Sequence, residues 1–224
     1  MGAPDCAFER ELIARGCRLV AGVDEVGRGP LAGPVGVGAV ILDLDDLPEG
    51  VDDSKALSAA RRAAASERVY AKARCVAIAF ASVAEIDALN IRGATLLAMA
   101  RAVNGLSLRA DFALVDGRDV PEGLRCPARA IVGGDALSLS IAAASIVAKV
   151  ARDALMTRLD AAYPDYGFAR HAGYATRGHA EALARLGPTP FHRRSFRLGG
   201  ALCDPGAASD GSDATRRPRS QAGR

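Results

Sequence analysis

Asp24 and Glu25 stand side by side where a short apolar run, Arg18-Leu19-Val20-Ala21-Gly22-Val23, comes to an end, and a Gly27-Arg28-Gly29 corner follows at once. Two further acids hold comparable places. Asp116 closes the run Phe112-Ala113-Leu114-Val115, and Asp135 comes just after residues 129–132, across Gly133-Gly134. Carboxylate oxygens gathered in one place are ligands for a hard cation such as Mg²⁺ or Mn²⁺. Four close acids would repel one another and raise one another's pKa unless cations neutralised them. Two divalent ions would do so and would equip a phosphoryl-transfer site. Each acid also has a plainer reading. Asp24-Glu25 before glycines reads as a solvated turn, Asp116-Gly117 is a common turn pair, and Asp135 is placed to cap a helix starting near Ser138.

The plainer readings leave the shared position of the four acids unexplained. Residues 18–23 are apolar and bounded by glycines, as in a buried strand. Side chains alternate along a strand, so Asp24 and Glu25 should point apart and can serve one site only where the pleat ends. Gly27 and Gly29 give the chain the freedom to turn there. Residues 35–42 read as a second strand, reached through a tight corner and therefore antiparallel to the first. Residues 75–82, 112–115 and 129–132 read as the third, fourth and fifth strands. In open α/β sheets ligands bind beyond the C-terminal strand ends, so the acids converge if strands one, four and five are parallel neighbours.

Helices are expected over residues 6–15, from an N-cap at Ser58 to about Ala71, and over 91–103 after a shorter helical turn at 83–89. A long Ala-rich helix is expected over 138–159, buried through its small residues, and a short one over 179–186. The pattern is one α/β domain with a helical C-terminal part. It fills residues 1–200, and residues 201–224, rich in Gly, Ser, Asp, Arg and Pro, read as a disordered tail.

Composition excludes several functions. Gly27-Arg28-Gly29 imitates part of a dinucleotide fingerprint, but Pro30, Pro34 and a strand follow where that motif needs a helix. No Gly-Lys-Ser/Thr phosphate loop occurs. The five cysteines are scattered without a Cys-x-x-Cys pair, and His171, His179 and His192 have no metal-ligand spacing with them, which argues against zinc and for reduced, packing thiols. No apolar stretch is long enough to span a membrane, and no signal-peptide core opens the chain. A cytoplasmic location is expected. The formal charge of +3 is unevenly placed: residues 166–200 hold six arginines against one acid, Glu181. Such a block suits phosphate contacts, or else a solvated helical face.

Taken together, these residues resemble the type 2 ribonucleases H, the bacterial ribonuclease HII family. The resemblance rests on an ordered set: Gly22-Val23-Asp24-Glu25-Val26-Gly27-Arg28-Gly29-Pro30-Leu31-Ala32-Gly33-Pro34, then Asp53-Ser54-Lys55 with Leu57-Ser58, then Val115-Asp116-Gly117. Gly134-Asp135 leading into Ser140-Ile141-Ala142-Ala143-Ala144-Ser145-Ile146, Tyr166-Gly167-Phe168, Gly173-Tyr174 with Thr176, and His192-Arg193-Arg194-Ser195-Phe196 complete it. The resemblance implies a ribonuclease H-like fold, a five-stranded mixed sheet flanked by helices on both faces. It implies a monomeric endoribonuclease, dependent on Mn²⁺ or Mg²⁺, whose partners are RNA–DNA hybrids and duplex DNA carrying single ribonucleotides. Asp24, Glu25, Asp116 and Asp135 would be the metal-binding catalytic acids. Gly27, Arg28, Gly29 and Tyr174 would sense the ribose 2′-hydroxyl, and Lys55 would join them in binding substrate. Two departures stand out: Gly133 and Ala172 occupy positions where the family usually has lysines, which removes two cations from phosphate contact.

Two other readings share the acids or the basic face. A ribonuclease H-like DNA nuclease would use the same carboxylates without the ribose sensors. A non-catalytic nucleic-acid-binding domain would keep the basic face, but four acids without metals would repel a polyanion.

Overall fold

The computed structural model describes residues 3–51, 57–198 and 201–202. Helix α1 (Ala7–Ala14) leads into β1 (Val20–Val26) and β2 (Val35–Ile41), and α2 (Ala59–Lys72) precedes β3 (Cys75–Ala81). Helix α3 (Val83–Asn104) is followed by β4 (Phe112–Asp116) and β5 (Ala128–Ile131), a 3-10 turn at Gly134–Ala136, and the long α4 (Leu139–Ala162). The short α5 (Phe168–His171), then α6 (Arg177–Leu186) and the two-residue strands β6 (Arg197–Leu198) and β7 (Ala201–Leu202) complete the described chain. The β6–β7 pair reaches two residues past the expected domain boundary at 200. The tail expectation from Cys203 onward lies outside the described residues, as does Lys55.

The sheet runs in the order β3-β2-β1-β4-β5, with β1, β4 and β5 paired parallel and β2 paired antiparallel to both β1 and β3, so it is mixed as expected. Alternation along the strands sorts their side chains between two helical layers. Ala21, Val23, Val35, Val37, Ala39 and Ile41 pack with Ile86, Ala98, Met99 and Val103 of α3 on one face. Val40 packs on the other face with Ala65 and Val69 of α2 and with Ala143, Ile146 and Val147 of α4.

Two glycines bring α4 close to the sheet. A Cβ at Gly22 would lie 2.1 Å from the Ser140 carbonyl carbon, and one at Gly38 would lie 2.4 Å from the Ala144 carbonyl oxygen. Helix backbone therefore lies directly on strand backbone. The start of α4 is fixed by Ser138, whose Oγ accepts from the Ile141 amide, and by the buried Glu9 of α1, whose carboxylate accepts from the Ser138 and Ser140 hydroxyls at 2.6 Å each.

The division expected between residues 83–89 and 91–103 is visible inside α3. Asn90 leaves helical geometry at φ 57°, and its side chain accepts from the amides of Arg92 and Gly93, so the second half is capped afresh. The hydrophobic pattern did not single out α5, which has only four residues.

Candidate active site

Strand register brings the acids together. Val23 pairs with Val115 in the parallel β1–β4 ladder, so Asp24 and Asp116 are the next residue on each strand. Carboxylate oxygens of Asp24, Glu25 and Asp116 lie within 4.8 Å of one another. Asp24, on the same face of β1 as Gly22, points toward α4, and its carboxylate bonds the Ser145 side chain and accepts from the Glu25 amide at 2.7 Å. Glu25 lies within β1, which stays paired with β2 through Val26 and so does not end at Val23 as expected, and it receives Arg28 Nη1 at 3.4 Å. Asp116 accepts from the Gly134 amide at 2.6 Å. That bond ties the cluster to the turn carrying Asp135. Asp135 itself is buried in that turn and is not one of the three whose oxygens converge.

Burial pushes the Asp24 carboxyl well above the usual carboxylate range, and the charges of Glu25 and Asp116 push it further. Glu25 is also raised, first by burial and then by Asp116, against the lowering pull of Arg28. A divalent cation would relieve the cost of ionising Asp24 and Glu25 beside the Asp116 charge. With no sulfur or imidazole among them, the set fits Mg²⁺ or Mn²⁺.

The acids open into a cleft of about 220 Å³ lined by Asp24, Glu25, Gly27, Asp116, Ser145 and Tyr174 together with Arg62 of α2 and Lys149 of α4. A roomier cavity of about 460 Å³ lies at the opposite end of β1, between α1 and residues 42–45, and contains none of the expected site residues.

The corner and the tyrosine expected to read ribose meet at this cleft. Gly27 has φ +86°, and a Cβ at Gly29 would stand 3.6 Å from Tyr174 Cε1. Tyr174 is 43% exposed, so its ring is open to a ligand. The loop behind it is held by backbone bonds from the Leu31 amide to the Gly173 carbonyl and from the Gly33 amide to the Phe191 carbonyl, each 2.8 Å. Gly133 and Ala172, where lysines were expected from the resemblance, both adopt positive φ, at 67° and 48°.

Sequence reasoning assigned no role to Ser145, Lys149, Arg62, Arg152 or the buried arm of Arg193. Ser145 and Lys149 are four residues apart on α4, with Arg152 three further on, so a polar stripe runs along one face of this Ala-rich helix. That spacing was the available signal. Arg152 is fully buried and donates to the carbonyls of Pro34, Ala172 and Ala32 at 2.9, 3.0 and 3.2 Å. The described cysteines, Cys6, Cys17, Cys75 and Cys126, are free thiols, and no described helix is long and apolar enough to cross a membrane.

The chain is similar to known proteins. The family model "Ribonuclease HII" matches residues 21–198. The ribonuclease HII of Brucella ovis is 57% identical over 195 residues, which cover 87% of this chain and 89% of that protein. Among solved structures, the ribonuclease HII of Archaeoglobus fulgidus, determined in complex with PCNA, is 30% identical with a TM-score of 0.69, covering 81% of this chain and 96% of that one. The ribonuclease H2 of Pyrococcus horikoshii is 27% identical with a TM-score of 0.68, covering 80% and 94%.

Proposed function

The chain belongs to the ribonuclease HII family and is a nuclease hydrolase, and from that premise we propose that it hydrolyses the RNA strand of RNA–DNA hybrids and cuts 5′ of single ribonucleotides in duplex DNA. The products would carry 3′-hydroxyl and 5′-phosphate ends. The observation that carries this reading is the meeting, in one cleft, of the converging carboxylates with Gly27 of the Gly-Arg-Gly corner and Tyr174. A nuclease indifferent to sugar needs only the acids, and a binding domain needs neither.

Asp24, Glu25 and Asp116 would hold divalent ions, Mn²⁺ or Mg²⁺, with Asp135 joining from its adjoining turn. When bound, such ions supply an activated water and neutralise charge on the leaving oxygen. Ser145 and the Glu25 amide orient the Asp24 carboxylate by hydrogen bonds. The corner offers backbone groups to the 2′-hydroxyl, the group that distinguishes RNA from DNA and that can both donate and accept. Tyr174 offers its phenol and a flat apolar face for the neighbouring sugar. Arg62 and Lys149, lining the same cleft, would meet phosphates where the family's two usual lysines are missing. Lys55 keeps its expected substrate role. A monomer working in the cytoplasm, with residues 1–200 as the catalytic unit, completes the proposal.

The test is cleavage of a duplex carrying one ribonucleotide, with the all-DNA duplex alongside, in Mn²⁺ or Mg²⁺ and again with chelator. Cutting of the all-DNA duplex at a comparable rate would refute ribose reading, and cutting undiminished by chelator would refute the metal site.

A further inference from the structure

The segment at 189–193 touches both halves of the cleft's sugar-facing wall without lining the cleft. Arg193 is fully buried and has no hydrogen-bonded or ion-paired acid among the described residues. Its guanidinium is spent on backbone carbonyls, donating to Gly27, Arg28 and Gly33 at 2.5, 2.8 and 3.0 Å, while Phe196 covers it at 4.9 Å. A planar fork with several fixed donors can serve three carbonyls at once, and a lysine ammonium cannot reproduce that geometry. Two of those carbonyls belong to the Gly-Arg-Gly corner.

His192, the preceding residue, reaches the other half through a second histidine. The Thr189 amide donates to His192 Nδ1 at 2.9 Å, so that nitrogen carries no proton. His179 Nδ1 stands 2.9 Å from the Tyr174 carbonyl, which can only accept, so that nitrogen is protonated. With both rings neutral, the 3.0 Å contact between their Nε2 atoms is then a bond donated by His192 to His179. The relay runs in one direction, from Thr189 through His192 and His179 to the backbone of Tyr174. His171 stacks on His179 at 4.5 Å and is itself occupied with the Tyr166 carbonyl and the Gly173 amide. Phe168 presents its edge to His179, and Tyr166 packs against His192. Arg193 faces away toward the corner, and among the described residues no carboxylate is in hydrogen-bond or ion-pair contact with either ring.

We propose that Arg193 and the His192–His179 pair are positioning residues, one clamp that fixes the Gly-Arg-Gly corner and Tyr174 at the separation that fits a ribonucleotide. This rests on the reading of those two elements as the ribose sensor. Neither the arginine nor the histidines touch substrate. They set the geometry of the groups that do, and a displacement of about 1 Å in such groups is worth on the order of 10²-fold in rate.

Four variants test it: Arg193→Lys, His192→Phe, His192→Gln and Tyr174→Ala. Arg193→Lys keeps charge but loses the fork, and His192→Phe keeps a ring but loses the donor. Both should lower kcat on the single-ribonucleotide duplex by about tenfold or more. Affinity for an all-DNA duplex and Mn²⁺ binding by calorimetry should hold, which a general loss of structure would not allow. His192→Gln places an amide donor opposite His179 and should retain most of the activity. Nitrogen-15 NMR of the wild type at neutral pH should show the proton on Nδ1 of His179 and on Nε2 of His192. Folded Arg193→Lys and His192→Phe proteins that cleave within twofold of wild type overturn the clamp, as do the opposite tautomers. If Arg193→Lys does not fold, the contrast between His192→Phe and His192→Gln decides: equal rates overturn the clamp. Normal cleavage by Tyr174→Ala would bring down the ribose-sensor reading itself. Loss in Tyr174→Ala with normal rates in the other variants would bring down the clamp alone.

Discussion

Buried His192 makes the protein's stability depend on pH in a way that one substitution should remove. His192 is 2% exposed, and burial, with the adjoining His179, pushes its pKa down from the ordinary 6.5 to about 4. His179 is lowered too, mainly by burial. Above about pH 7.5 the ring is neutral in both folded and unfolded chains and has no effect on their balance. As pH falls through 6.5, the unfolded chain takes up a proton that the folded one refuses, so stability declines until the folded ring also titrates. For a shift from 6.5 to about 4, linkage gives a loss of about 2 kcal/mol between about pH 7.5 and pH 5, rising to about 3 kcal/mol below pH 4. His192→Gln cannot titrate and should not lose this increment. Asp24 and Glu25, both raised, shift stability in the opposite direction over acid pH, but they do so equally in both proteins. The assay is therefore a difference: equilibrium urea unfolding of wild type and His192→Gln, in chelator, at half-unit steps from about pH 7.5 to 5. The gap between the two should move by about 2 kcal/mol in favour of the variant. A gap that stays constant across the range would refute the neutral, buried pair.

Three other perturbations follow from the geometry. Asp24→Asn should abolish cleavage and weaken Mn²⁺ binding in calorimetry, while metal-free melting stays level or rises because repulsion from Glu25 and Asp116 is relieved; full activity in that variant would exclude Asp24 as a ligand. Tyr174→Ala should slow cleavage at a single ribonucleotide by about tenfold or more with an unchanged unfolding curve, and Tyr174→Phe by less, since the ring that faces the sugar remains. Gly22→Ala, whose Cβ would stand 2.1 Å from the Ser140 backbone, should cost about 1–3 kcal/mol or more in urea unfolding; a change under about 0.5 kcal/mol, the range of an ordinary surface substitution, would show that α4 does not lie so near the strand.

How much of this could be read from the chain depended on the range of the forces involved. The strands carrying Asp24 and Asp116 were legible because a glycine-bounded apolar run ending in an acid is a local signal, although β1 runs on past Asp24 to Val26. The parallel β1–β4 register that unites them followed only as a condition for convergence, and the ladder meets it. The break at Asn90 was legible from two separate helical patterns, and the Ser58 cap from its side chain, whereas α4 is capped by Ser138 and not by Asp135. Arg152 and Arg193 were not legible. Each bonds carbonyls more than a hundred residues away, and an arginine in a basic stretch looks the same whether it meets solvent or buried backbone. Arg193 was accordingly counted with a phosphate-binding face, whereas it is fully buried. The three histidines showed no metal-ligand spacing, and their mutual stacking comes from loops folding back across α6, which no spacing rule anticipates.

The close seating of α4 on Gly22 and Gly38 has a further consequence for how the molecule opens. Where side chains intervene between layers, a helix can lift by a rotamer's width and leave its sheet intact. Here the carbonyls of Ser140 and Ala144 meet strand backbone with no such layer between them. Ser145, one residue along the same helix, is bonded to Asp24 of the same strand as Gly22. Local fluctuations that expose amides in looser proteins are therefore closed to this region, and the central turns of α4 and the end of β1 should exchange their hydrogens as one unit, at the rate of global unfolding. As the floor of the proposed active site it would be a fixed template, to which the nucleic acid, with its softer backbone, must adapt.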